Sequence, residues 1–216
     1  MKICASLLAA NHAFIGQSLE ECEKAGINIF HFDVSDGHYT KYIMFGPQII
    51  NDLRSVSQAY FDVHLYNHNV ESILETFLET SANRISLQYA TGKDNLDYYI
   101  NMVRSNKTDV SVTFTPTEDY QLIIKQVEKL DAVNLLAVNP GIGGQVMQLE
   151  VLKKVEKVAS YIANNNLKTI VSVDGGVSTE TIKWVKDAGA DIAIAGSAIF
   201  QGSIKENIKI LKKIIE

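Results

Sequence analysis

The sequence is short of the residues that build cross-linked, extended or strongly basic proteins. Two cysteines, Cys4 and Cys22, in 216 residues are too few for a disulfide framework, so a reduced, cytoplasmic setting is expected. Prolines number only three, and no stretch is dense in Pro, Gly or Ser. Nothing therefore reads as a linker, a low-complexity tract or a second domain, and residues 1–216 are expected to form one domain. No run approaches the roughly 18 apolar residues of a membrane span. The segment Met1–Ala10 has one lysine and a short apolar stretch, and reads as a first strand rather than a signal peptide. Acidic residues outnumber basic ones by 25 to 20, no basic patch stands out, and nucleic acid is an unexpected partner. No Gly-x-Gly-x-x-Gly follows the first strand and no Gly-x-x-x-x-Gly-Lys-Ser/Thr occurs, which argues against dinucleotide and nucleoside triphosphate sites.

What is present is an alternation of apolar runs with amphipathic stretches. Candidate strands are Ile3–Leu7, Ile29–Asp33, Tyr60–His64, Arg84–Tyr89, Val110–Phe114, Asn134–Val138, Thr169–Asp174 and Ile192–Ala195. Candidate helices lie at Leu19–Ala25, Pro47–Ser55, Val70–Thr80, Leu96–Ser105, Tyr120–Leu130, Leu149–Asn164 and Thr179–Ala188, with a last one from about Lys205 to Ile215. Pro47 suits a first helical position, and Ser178 with Glu180 gives a start signal. Eight strands each followed by a helix predict an α/β fold, a single-domain (β/α)8 TIM barrel with an apolar interior. An open doubly wound sheet is the alternative.

Three strand ends carry chemistry. They are His31-Phe32-Asp33, Asp62-Val63-His64 and Val173-Asp174-Gly175-Gly176. Side chains two apart on a strand share a face, so His31 points with Asp33, and Asp62 with His64. Active sites of this fold lie at the C-terminal ends of the strands, where these groups converge across more than 140 positions. Imidazoles and carboxylates together can hold a divalent metal, and carboxylates beside it can move protons. The competing reading is a set of hydrogen-bonded polar groups closing buried strands. For one residue that reading would win; for three strand ends together the site is preferred. Glycines recur on the late strands: Gly141, Gly143 and Gly144 after strand six, Gly175 and Gly176 after strand seven, and Gly196-Ser197 after strand eight. Loops after the last strands are the usual phosphate cradle of this fold, so a phosphate ester is the expected ligand.

At these residues the sequence resembles the ribulose-phosphate 3-epimerase family. The matching stretches are Ala5 to Leu8, His31 to His38, Phe45-Gly46-Pro47, Asp62 to Leu65, Asn139 to Gln145, Val173 to Gly176 and Ala195 to Phe200. The resemblance implies a barrel enzyme that interconverts ribulose 5-phosphate and xylulose 5-phosphate with a divalent metal, often zinc. Iron, manganese and cobalt accept the same donors. It implies His31, Asp33, His64 and Asp174 as metal ligands, with Asp33 and Asp174 as the two proton carriers. Ser6 and His64 would touch the sugar, and Gly141, Ile142, Gly143, Gly144, Gly175, Gly176, Gly196 and Ser197 would hold the phosphate. No organic cofactor is required, no membrane is implied, and a homo-oligomer is expected.

The sequence also departs from the family pattern. Ala5 stands where the family usually has Pro, and Ala9 where it has Ser. Ser35 and Tyr66 each replace a Met, Gln88 and Ala90 replace a His and a Glu on strand four, and Ile142 replaces a Phe. These changes bear on the substrate more than on the reaction. They leave open another ketose phosphate such as allulose 6-phosphate, or a non-catalytic relative that binds a sugar phosphate. A barrel lyase or decarboxylase is disfavoured because no predicted strand ends in a lysine.

Overall fold

In the computed structural model, which describes residues 1–216, eight parallel strands close on themselves. They are β1 (Lys2–Ser6), β2 (Ile29–Asp36), β3 (Tyr60–Leu65), β4 (Arg84–Gln88), β5 (Asp109–Phe114), β6 (Ala132–Leu136), β7 (Ile170–Asp174) and β8 (Ile192–Ala195). Each strand pairs with the next, and β1 closes the ring by pairing with both β2 and β8. The principal helices are α1 (Ile15–Lys24), α2 (Pro47–Arg54), α3 (Glu71–Leu78), α4 (Leu96–Ser105), α5 (Tyr120–Val127), α6 (Glu150–Asn164), α7 (Ile182–Asp187) and α8 (Ile204–Ile215). The chain is a single-domain (β/α)8 barrel. None of its helices is long and apolar enough to cross a membrane.

Local signals place the helices. Pro47 occupies the first turn of α2, where its missing N–H costs nothing. Asp119 caps α5 by accepting from the Gln121 N–H at 2.7 Å, and Ser203 caps α8. Helix α1 begins four residues before its expected start. Asn11 accepts from the Ala13 N–H and caps a 3-10 turn that runs straight into it. The helix then buries Ile15, Ser18, Leu19 and Cys22, a helical spacing against the barrel.

The expected apolar interior is not what the structure has. The large core, 52 buried residues, lies between the outside of the barrel and the helices. Inside the barrel only Cys4, Ile29, Ile192 and Ile194 form a small apolar cluster. Most other interior positions are polar and buried, among them His31, Asp62, His64, Arg84, Ser86, Gln88, Ser111, Thr113, Asn134 and Ser172, while Ala132 and Leu136 on β6 are apolar. Parallel register explains the layering. His31 lies opposite Asp62 and Asp62 opposite Arg84, while Asp33 lies opposite His64 and His64 opposite Ser86. Each alternation inherited from one strand therefore meets a polar alternation on the next.

Strand ends also differ from expectation: β6 lies at Ala132–Leu136 instead of Asn134–Val138, β1 is shifted by one residue, and β3, β5 and β7 differ by one residue at an end. Strand β2 continues past Asp33 to Asp36 and pairs, antiparallel, with the short segment Ile43–Met44. The Asp36 carboxylate holds that turn by accepting from the N–H groups of His38 and His68 at 2.9 and 3.0 Å. Strand β4 stops at Gln88, and Tyr89–Gly92 is already helical.

Candidate active site

Four side chains meet at the C-terminal end of the barrel. His31 and Asp33 come from β2, His64 from β3 and Asp174 from β7. One ligand atom from each lies within 4.8 Å of all the others. The His31 Nε2 is 3.4 Å from Asp33 Oδ1 and 3.6 Å from Asp174 Oδ2, and His64 Nδ1 is 3.8 Å from Asp33 Oδ1. Both of those ring nitrogens are buried and find no hydrogen-bond partner. Orphaned buried polar atoms are costly and rare, so two aimed at one point mark a site meant to be filled.

The opposite ring nitrogens are held. His31 Nδ1 meets Asp62 Oδ2 at 2.8 Å, and Asp62 Oδ1 in turn accepts from Arg84 Nε at 2.8 Å and from Ser86 Oγ at 3.3 Å. His64 Nε2 donates to Gln88 Oε1, 3.1 Å away. A ring that spends its proton on one nitrogen offers a lone pair at the other, which is the state a metal requires. The donor set, two imidazole nitrogens and two carboxylates, fits zinc, iron, manganese or cobalt. The residues present fit a divalent cation.

Charge in this enclosed space is finely poised. Burial pushes the Asp174 carboxyl up to about 7, helped by the negative charges of Asp33 and Asp62 and opposed by His31 and Asn134. Asp33 is also opposed by burial, but His31, His64 and the Ser6 hydroxyl at 3.1 Å hold it below the usual carboxylate range. His64 falls to about 4 through burial and the neighbouring His31, and stays neutral. For His31, burial is outweighed by Asp33 and Asp62, and it rises well above the usual histidine range; in the metal-free site its Nε2 holds a proton that a bound cation would displace. Two carboxyls with proton affinities driven apart are the raw material of acid–base chemistry.

Above these groups opens a cavity of about 500 Å³. Its wall brings together Ser6, Asp33 and Asp174 with Gly141, Ile142, Gly143, Gly144, Gly175, Gly176, Gly196 and Ser197. Gly176 has φ +67°, and a Cβ there would stand 2.5 Å from the Met147 nitrogen; only glycine fits. Gly143 lines the cavity and has nothing within 4 Å of its would-be Cβ, so a side chain there would stand in open space. His31 and His64 do not reach the wall; both are fully buried beneath it.

Sequence reasoning missed Arg84, Tyr42, Ile43 and Met44, and named Gln88 and Tyr66 only as departures from the family pattern. Arg84 and Gln88 belong to an alternation, Arg84-x-Ser86-x-Gln88, that signals an inward polar face on an otherwise apolar strand. Tyr42, Ile43 and Met44 form a rim that no motif announced. Tyr66 lines the cavity over His64, their ring centroids 3.8 Å apart. Burial, with Asp174 and Asp33 nearby, pushes its phenol well above the ordinary tyrosine range, so it keeps its proton. His38 is an exposed loop residue, and His12 packs on Phe45 instead of facing the site.

Fold and site together define a barrel enzyme with a histidine–aspartate centre under a glycine-lined pocket. Solved barrels of similar shape include KGPDC from Streptococcus mutans, with a TM-score of 0.77, 13% identity and coverage of 99% of this chain and 96% of that one. The 3-hexulose-6-phosphate synthase from Salmonella typhimurium has a TM-score of 0.71 at 14% identity, covering 100% of this chain and 98% of its own. At such identities the likeness establishes the fold alone. The sequence profile of the ribulose-phosphate 3 epimerase family matches residues 2–200, and the chain belongs to that family. It is 33% identical to the ribulose-phosphate 3-epimerase of Bacillus subtilis (strain 168) over 201 residues, covering 93% of this chain and 92% of the relative. Identity to the ribulose-phosphate 3-epimerase of Escherichia coli (strain K12) is 32% over 199 residues, covering 92% and 88%. Membership places the chain among the carbohydrate epimerases.

Proposed function

We propose that this protein is a metal-dependent ketose-phosphate 3-epimerase acting on ribulose 5-phosphate and xylulose 5-phosphate. The observation that carries the reading is the pair of buried, unpartnered nitrogens, His31 Nε2 and His64 Nδ1, facing the carboxylates of Asp33 and Asp174 at the floor of the cavity. When bound, a divalent cation supplies a positive charge that stabilises the negative oxygens of an enediolate.

The chain's own residues do the rest. The glycine-lined late loops receive the phosphate and fix which end of the sugar lies inward. Asp33 and Asp174 come from β2 and β7 and serve opposite faces of C3. One carboxylate removes the C3 proton, and the C–H electron pair moves into the C2–C3 bond as the ketone oxygen takes the charge. The other carboxyl returns a proton to the far face, and the ketone re-forms. One proton leaves and one arrives, so nothing is oxidised and no further reactant is consumed. Ser6 holds Asp33 through its hydroxyl. The closed barrel below keeps bulk water from the ring nitrogens.

The test uses elemental analysis and turnover together. The purified protein should carry a divalent metal and interconvert the two pentulose phosphates faster than any six-carbon ketose phosphate. His31→Ala and His64→Ala should each lose the metal and at least 100-fold in turnover, while keeping the circular dichroism of the parent. Full metal occupancy in both variants would remove the proposed centre. Faster turnover of a six-carbon ketose phosphate would transfer the reading to that substrate.

A further inference from the structure

The Tyr66 hydroxyl is out of place for a structural residue. The ring is 5% exposed, yet its O–H makes no hydrogen bond within the protein and is not among the atoms sealed from solvent. Tyrosines this deeply buried ordinarily find a partner for the hydroxyl. The one direction left to it is the cavity, whose wall it shares with Asp33 and Asp174. Ser35, the other polar residue standing where the family has a methionine, makes the contrast. Its hydroxyl is satisfied by Thr40 Oγ1 at 2.9 Å and is turned into the loop.

The ring is also held still. His64 packs against it with centroids 3.8 Å apart, and Tyr39 stacks at 6.4 Å with an interplanar angle of 21°. The backbone N–H of Tyr66 extends the β3 ladder by donating to the Val34 oxygen at 2.7 Å. A donor fixed in this way meets a developing charge without reorganising, which is the condition for an effective oxyanion contact.

We propose that the Tyr66 hydroxyl donates a hydrogen bond to a substrate oxygen on the carbons that become the enediolate, which makes Tyr66 a catalytic residue. The inference rests on the epimerase reading above. The phenol keeps its proton throughout, and no bond to it is made or broken. It adds a neutral donor to the positive charge that a bound cation would supply at the floor of the site. Its benefit is largest where the oxygen is most negative, in the transition state, so it acts on kcat more than on KM.

The experiment compares wild type with Tyr66→Phe and Tyr66→Met on ribulose 5-phosphate, following inversion at C3. Phe preserves the ring and its packing on His64 and Tyr39, so a purely structural Tyr66 predicts unchanged kinetics in that variant. The proposal predicts that kcat falls about 10–100-fold in Tyr66→Phe, with KM changed less than threefold and metal content and melting temperature unchanged. Tyr66→Met, which also lacks the hydroxyl, should not recover the loss. Wild-type kcat in Tyr66→Phe, with an active wild type alongside, would overturn the proposal and leave the epimerase reading standing. A wild type silent on every ketose phosphate would bring down both.

Discussion

His31 uses its two ring nitrogens for different purposes, and the difference is set two strands away. Its Nδ1 faces Asp62, and Asp62 is itself held by the buried Arg84 guanidinium and Ser86. Buried charges are tolerated when each finds its opposite, and removing one partner of such a pair costs about 3–5 kcal/mol. Asp62→Asn should therefore destabilise the metal-free protein by about that amount at pH 7. The sign with pH follows from the carboxyl. Burial opposes its ionisation, but Arg84 and His31 prevail and hold it well below the ordinary aspartate range. Its stabilisation is complete above the unfolded value of about 4 and is lost as pH falls towards the folded one. Urea unfolding should show the gap between wild type and Asp62→Asn at pH 7 and a narrower gap near pH 3. An equal gap at both would mean that the carboxylate charge is not what matters. The His-x-Asp and Asp-x-His pairs were legible in the sequence because period-two alternation fixes which side chains share a face. Arg84 was not, because it opens an apolar run and its partner lies 22 residues away on another strand. Only the register brings the two together.

At the scale of loops and strands, the glycines divide into two kinds. Gly176 is required by the backbone itself, with positive φ and Met147 against it. A Cβ on Gly143 would meet nothing within 4 Å, and the residue lines the cavity. Gly176→Ala should thus cost about 1–3 kcal/mol of stability, through strain and overlap. Gly143→Val should leave the melting temperature nearly unchanged and raise KM for a phosphorylated ketose at least tenfold, by putting methyl groups where phosphate oxygens approach. Kinetics and thermal melts of the two variants separate the roles; an unchanged KM for Gly143→Val would reduce its loop to a turn. The order and kind of all eight βα units were readable from apolar runs and their punctuation. Their edges were less so. The extension of β2 to Asp36 depends on Ile43–Met44 folding back as a partner, and that pairing needs the turn made by the Asp36 carboxylate. The early end of β4 at Gln88 follows from a helical turn, Tyr89–Gly92, built from residues that also suit a strand.

The whole molecule separates stability from chemistry. The apolar core is a shell between barrel and helices, and the interior of the barrel is given over to polar groups that support the site. Sequence alone suggested the reverse, since strand residues facing the shell and those facing the axis are equally enclosed and nothing local says which side is the axis. The polar alternation on β2, β3 and β4 carried that information, once strand order was known. Within this frame the central claim is that two aspartates, from strands on different sides of one cavity, serve opposite faces of one carbon. It is tested most directly by following ribulose 5-phosphate and xylulose 5-phosphate in heavy water with wild type, Asp33→Asn and Asp174→Asn. The account predicts one deuterium at C3 for each inversion by wild type. In the variants inversion should fall by roughly 10²–10⁴-fold or more, since each loses a proton carrier and a ligand. Slow C3 exchange with retention should survive, for one epimer in Asp33→Asn and for the other in Asp174→Asn. Inversion at the wild-type rate in either variant would contradict it.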